Sequence, residues 1–174
     1  MLDGTEAFAE AEFIDSFFER ETDLQDGLPR ASQTDLLAII RVRSGLAILA
    51  VEGKVEEPFG RLIGDQQQLS AGQKKRLAGL QAMLGVQGRD VSALRYQLFH
   101  RAAAAVLEAQ LYACPKALLL VYSFSPTITG CCDFAAFASS VGLGSGPPMT
   151  VLGPNDVRGI ALYAGWLTDR LPNT

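Results

Sequence analysis

The pattern of apolar and polar positions along the chain predicts helices and strands in alternation. Residues 6–22 place phenylalanine, isoleucine and alanine at steps of three and four among acidic residues, which is typical of an amphipathic helix. Two apolar, β-prone runs follow, residues 32–40 and 47–54, with the short polar segment 41–45 between them. This order predicts a β-hairpin.

The second half of the chain continues the alternation. The pattern predicts a helix at 71–84 with Leu77, Leu80 and Leu84 facing inward, and a longer helix at 90–112 with Asp90 as its N-cap. The remaining predicted elements are a buried strand at 116–124, a short helix at 133–141, a glycine-rich connector at 142–148 and a last strand, or strand and turn, at 157–167. We therefore expect one α/β domain over residues 1–174. Its central mixed sheet should have about four or five strands, with the hairpin at its centre and helices on both faces.

The predicted hairpin brings ionisable residues together at its open end. With residues 44–45 as a two-residue turn, the register places Asp35 opposite Lys54 and diagonal to Glu52. Side chains alternate between the two faces of a strand, so these three share one face. Two carboxylates and one ammonium should therefore converge at one edge of the sheet.

This spacing, an Asp at the start of one strand and Glu-x-Lys at the end of the next, resembles the PD-(D/E)XK nuclease superfamily, which includes many restriction endonucleases and repair nucleases. The resemblance covers roughly residues 30–101, with Thr34 where the motif has proline. It implies a restriction-endonuclease-like fold.

The resemblance also implies a metal site and roles for four side chains. Asp35, Glu52 and the backbone carbonyl of Gly53 would bind Mg²⁺ or Mn²⁺. Lys54 would act on the attacking water, and Gln97, on the helix that follows, would position that water or a phosphate oxygen. Arg101 lies four residues after Gln97 and so shares its helix face.

The charge of this predicted site supports a metal by simple arithmetic. Asp35 and Glu52 repel each other, and Lys54 alone offsets only part of that repulsion, so a divalent cation would complete the balance. By the same reasoning, Glu52→Gln should spare or even improve folding. The alternative without chemistry is an ordinary ion-pair cluster at the end of a sheet.

Composition limits the partners. The net charge of −4 counts against a nucleic-acid binder, although the basic run 74–76 offers a local cationic surface. The chain shows neither a signal peptide nor an apolar run long enough to span a membrane, and its three cysteines do not form a disulfide pattern. We expect a cytoplasmic protein without a membrane partner, and a homodimer stays open.

The sequence therefore favours a metal-dependent phosphodiesterase or nuclease acting on nucleic acid. The alternative is a catalytically inactive nuclease-like fold that serves as a nucleic-acid or protein binding module. A cysteine nucleophile at 131 or 132 is disfavoured. A histidine usually activates such a thiol, and His100 is the only histidine in the chain.

Overall fold

A computed structural model describes residues 5–65 and 69–169. These residues form one six-stranded sheet and three α-helices, preceded by the 3₁₀ turn Glu6–Phe8. In chain order the elements are β1 (Glu12–Thr22), β2 (Ser32–Val42), β3 (Gly45–Lys54), α1 (Ala71–Met83), α2 (Tyr96–Leu111), β4 (Lys116–Ser123), α3 (Cys131–Ser140), β5 (Val151–Val157) and β6 (Ile160–Thr168).

The sheet is mixed, with strand order β1-β2-β3-β4-β6-β5. Strands β1, β2 and β3 form an antiparallel meander. The chain then passes through α1 and α2 to β4, which runs parallel to β3, and β6 runs parallel to β4 with β5 antiparallel at the edge. The α/β class and the mixed sheet are as predicted, and the sheet has six strands rather than four or five.

The main core lies on one face of the sheet. Leu37, Ile48 and Leu119 from the central strands pack there against buried residues of all three α-helices. Helix α2 is the centre of this layer, because its alanine-rich middle is almost wholly buried and lets the helix approach the strands closely.

The prediction of helices on both faces is wrong for the described residues. The second face carries a smaller cluster, in which Phe8 of the 3₁₀ turn meets Tyr163 edge-on at a ring-centroid distance of 5.0 Å. The three α-helices contribute only to the core on the first face.

The segment predicted as the first helix, residues 6–22, instead supplies edge strand β1. The pairing of β1 with β2 shifts register between Phe13 and Asp15, so a bulge interrupts the two-residue alternation. Apolar residues on either side of the bulge then recur at helical spacing although the backbone is extended. Pairing with β2 overrides this local pattern, as tertiary context often does.

The hairpin turn lies one residue earlier than predicted. Val42 pairs with Gly45, so residues 43–44 form the two-residue loop. Continuing this register would place Glu52, and not Lys54, level with Asp35. The shift moves each partner by two residues, so every side chain keeps its predicted face.

Element ends elsewhere differ by local hydrogen bonding. Helix α1 begins as predicted, with a reciprocal capping box between Ser70 and Gln73. Helix α2 begins later than residue 90, because the Asp90 carboxylate accepts the Ser92 N–H in a turn before it. The glycine-rich segment 142–148 is a connector as predicted, and the last strand is preceded by β5, which the sequence pattern did not reveal. No helix among the described residues has the length and apolar character needed to cross a membrane.

Adjacent phenylalanines test whether β1 is a strand. Phe17 packs on the core and stacks on Tyr112 at 6.1 Å, whereas Phe18 is 79% exposed on the other face. We expect Phe17→Ala to lower the free energy of unfolding by about 2 kcal/mol and Phe18→Ala by less than about 0.5 kcal/mol, measured by urea denaturation. Equal losses would contradict the extended backbone, since a helix packed on the sheet would bury both rings.

Candidate functional site

Glu52 and Lys54 lie at the end of β3, on the face covered by the helices. They continue the row begun by Ile48 and Ala50, and the neighbouring strands and α2 bury them, leaving Glu52 only 2% and Lys54 only 6% exposed. Lys54 Nζ lies 3.0 Å from Glu52 Oε1. Burying a charged side chain this deeply costs free energy unless the charge is paired, so each of these two residues needs the other in the folded protein.

Gln97 in the first turn of α2 joins this pair. Its Nε2 donates to Glu52 Oε1 at 2.5 Å, and its Oε1 accepts from Lys54 Nζ at 3.4 Å. Three of the side chains predicted for the site therefore form a closed triangle of contacts. The half-exposed Glu57 adds a second, longer contact to Lys54 Nζ at 3.6 Å.

Arg101, one helical turn after Gln97, binds the other oxygen of the same glutamate. Its Nε lies 2.5 Å from Glu52 Oε2, and its Nη1 donates to Ser32 Oγ at 3.1 Å. The arginine is 8% exposed. The four-residue spacing correctly placed Arg101 at the charged end of the hairpin, but nothing in the sequence pointed to Ser32.

Asp35 reaches the site from β2 in a different way. The ladder between β2 and β3 extends only to the pair Leu36 and Val51, and beyond it Asp35 Oδ2 accepts the Gly53 N–H at 2.8 Å. The Asp35 carboxylate thus binds a backbone N–H that a neighbouring strand would otherwise bind. This hydrogen bond holds Asp35 beside Gly53, the residue between Glu52 and Lys54. The structure brings Asp35, Glu52, Lys54 and Gln97 to one place.

The charge count at this site differs from the sequence-based expectation. The expectation left Lys54 as the only cation beside Asp35 and Glu52. Arg101 is a second, buried cation, so Lys54 and Arg101 together face the carboxylates of Asp35, Glu52 and the half-exposed Glu57. Charge repulsion between Asp35 and Glu52 is therefore smaller than the sequence suggests, and metal binding stays a prediction.

The oxygen donors still suit a hard divalent cation in kind. Asp35 Oδ1 makes no hydrogen bond within the described part of the chain, and Glu52 and the Gly53 carbonyl supply further oxygens. Both oxygens of Glu52 are engaged, however, by Lys54, Gln97 and Arg101. Across residues 5–65 and 69–169, no three His, Cys, Asp or Glu side chains are grouped to hold a metal ion. A cation would have to share Glu52 with Arg101.

A cavity of about 550 Å³ opens next to this cluster. Ser32 and His100 line it, and Ser32 Oγ lies 3.0 Å from His100 Nδ1, so the arginine and the histidine meet at one hydroxyl. Burial, followed by the nearby charges of Arg101 and Arg76, lowers the pKa of His100 to about 3. The imidazole is therefore neutral at physiological pH.

Comparison with known proteins identifies a family but no activity. A family model described as "Domain of unknown function (DUF6946)" matches residues 1–171, and the chain belongs to that family. No curated protein and no solved structure matches the chain. The site must therefore be interpreted from its own geometry.

The Glu52 carboxylate should be essential for folding. Glu52→Gln leaves Lys54 and Arg101 buried without their anion, so we expect the free energy of unfolding to fall by about 3 kcal/mol in urea denaturation. This reverses the expectation that the substitution relieves repulsion. Glu57→Gln, which removes a half-exposed carboxylate from the same lysine, is the matched control and should cost less than about 1 kcal/mol. A stabilised Glu52→Gln protein would show that the two cations do not depend on it.

His100 should make stability sensitive to acid. Its folded pKa lies below the ordinary value, so the unfolded state binds more protons between about pH 6.5 and pH 3, and stability falls as the pH drops through that window. We expect a loss of roughly 2 kcal/mol between pH 7 and pH 5 that is absent from His100→Gln. Unfolding curves at both pH values measure this difference, and an identical acid response in the two proteins would rule out the assignment.

Proposed function

We propose that this chain, a member of the DUF6946 family, is a metal-dependent phosphodiesterase that cuts nucleic acid, built on a restriction-endonuclease-like form of the α/β fold. The observation that carries the proposal is the contact triangle of Glu52, Lys54 and Gln97 with Asp35 beside it. The sequence motif by itself predicts that these four residues converge. Their convergence supports the motif against a chance match.

The strand order supports the same proposal. The aspartate lies on β2 and Glu-x-Lys on β3. Helix α1 and then α2, which carries the glutamine, follow before the chain returns to a parallel neighbour, β4. A helix after the Glu-x-Lys strand that delivers a Gln to the acids is the arrangement that the resemblance implies. The glutamine contacts Glu52 and Lys54, so the first turn of α2 lies at the end of β3.

The residues divide the work between holding a cation and acting on water. Asp35, Glu52 and the Gly53 carbonyl would hold Mg²⁺ or Mn²⁺, which lowers the pKa of bound water and neutralises charge on the phosphate. Lys54 orients the attacking water and stabilises the negative charge that develops on the phosphorus oxygens. Gln97 fixes the Lys54 ammonium through its Oε1 and holds Glu52 through its Nε2.

One observation favours the alternative, a nuclease-like fold that binds nucleic acid or protein without cutting. Arg101 and Lys54 already neutralise Glu52 in a buried site, and a structural ion-pair network of this kind needs no metal. The same network would hold the hairpin end and α2 together as a scaffold. Metal binding distinguishes the two functions.

The proposal also covers the partner, the location and the assembly of the protein. Nucleic acid is the proposed partner and the cytoplasm is the proposed location, because nucleic acid is found there. For the assembly, the alternatives are a monomer and a homodimer. Light scattering on the purified protein measures the assembly directly.

The functional test combines calorimetry with cleavage assays. We expect Mg²⁺ or Mn²⁺ to bind, and labelled DNA or RNA to be cut only when the metal is present. Lys54→Met should keep the metal affinity while turnover falls by about 10²-fold or more, because it removes a group that acts on water and not a ligand. Arg43→Met, at the exposed far end of the hairpin, also removes one positive charge and should leave turnover unchanged.

Two results would decide against catalysis. Failure to bind either metal, together with intact DNA and RNA in every reaction, would exclude the phosphodiesterase. Retained binding of nucleic acid under those conditions would establish the binding module in its place.

A further inference from the structure

The cavity near Glu52 has the size of a small-ligand site. Its volume of about 550 Å³ lies within the range of roughly 300–1,000 Å³ found for ligand pockets. Its walls are the segment leading into β2, the first turn of α1 and the first two turns of α2, and they comprise Leu28, Pro29, Arg30, Ala31, Ser32, Ser70, Gly72, Gln73, Arg76, Tyr96 and His100.

The charges of the cavity wall favour an anion. The lining contains two arginines and no carboxylate. Arg76 is already bound through Nε and Nη2 to Asp26, but the exposed Arg30 makes no hydrogen bond or ion pair within the described residues. The N-terminus of the 13-residue α1 forms part of the same wall, and its helix dipole adds partial positive charge.

The rest of the wall suits a flat, partly polar group. Tyr96 presents an aromatic ring, with Leu28 and Pro29 as apolar neighbours. His100, neutral and tilted against Tyr96 at 5.4 Å, uses Nδ1 at Ser32, and its Nε2 has no hydrogen-bond partner in the described part of the chain. An aromatic surface next to a neutral imidazole is chemistry that recognises a nucleobase by stacking and a hydrogen bond.

Two side chains, Ser32 and Arg101, connect the cavity to Glu52. Ser32 Oγ contacts both His100 Nδ1 and Arg101 Nη1, and Arg101 binds Glu52. Tyr96 precedes Gln97 in the same turn of α2. The cavity is therefore linked to the Glu52 carboxylate through Ser32 and Arg101, and neither Glu52 nor Lys54 lines it.

We propose that this cavity binds a single unstacked nucleotide of a single-stranded nucleic acid, with the base on Tyr96 and His100 and a phosphate at Arg30 and the start of α1. The inference rests on the proposed function, for which it names single-stranded nucleic acid as the substrate. A base within a duplex cannot enter a cavity of this size without leaving its stack, so paired substrate binds less well.

Binding in EDTA tests the inference apart from catalysis. We measure the fluorescence anisotropy of a labelled single-stranded oligonucleotide and of its duplex with the full chain. The single strand should bind at least about tenfold tighter than the duplex, and Arg30→Gln and Tyr96→Leu should each weaken single-strand binding by about tenfold. Tyr96→Phe, which keeps the ring, should bind like the native protein. Arg43→Gln, at the opposite end of the hairpin, should also bind normally.

Competition identifies the recognised chemistry. A nucleoside 5′-monophosphate should displace the labelled strand at a lower concentration than inorganic phosphate does. Equal displacement by inorganic phosphate would reduce the cavity to an anion site and overturn the inference, and so would equal affinity for duplex and single strand. The binding assay contains no metal, so it does not depend on catalysis. Intact single-strand binding in EDTA, together with no cutting in the separate assay with metal, would refute only the proposed function.

Discussion

The buried Glu52 carboxylate is the group around which this molecule is arranged. It is 2% exposed, and Lys54, Gln97 and Arg101 together engage both of its oxygens. A carboxylate removed from water in this way would cost several kcal/mol without such partners. Every element that supplies one of them must therefore be in place before the site is stable, which links the central hairpin to α2.

Simple geometry explains how two elements satisfy one carboxylate. Glu52 and Lys54 are two residues apart on β3, so their side chains lie on the same face of the sheet. Gln97 and Arg101 are four residues apart on α2, so they share the helix face that contacts Glu52. The small side chains in the middle of α2 let the helix lie close enough for these contacts. Asp35 completes the group from β2 by binding the backbone of Gly53.

The sequence therefore predicted the parts of the site that depend on fixed periods. Face sharing along β3 and along α2 follows from their repeats, and an error of one residue in the turn at 43–44 did not disturb it. The first strand was missed because a bulge after Phe13 imitates helical spacing, and local pattern carries no information about pairing with β2. Ser32 was missed because neither the motif nor a helix or strand repeat relates it to Arg101, which lies 69 residues later in the chain.

Arg101 determines how readily the site can accept a cation. Any divalent ion at Glu52 must compete with a guanidinium already in contact with Oε2, so its affinity is reduced by the free energy of separating that pair. A phosphate near Ser32, which already accepts from Arg101 Nη1, would offer the guanidinium a second anionic partner. On the proposed function, substrate and cation would favour one another, because each would stabilise an arrangement in which Arg101 no longer binds Glu52. On that proposal, the affinity of the site for metal would be lower when measured without nucleic acid than in the complex with nucleic acid.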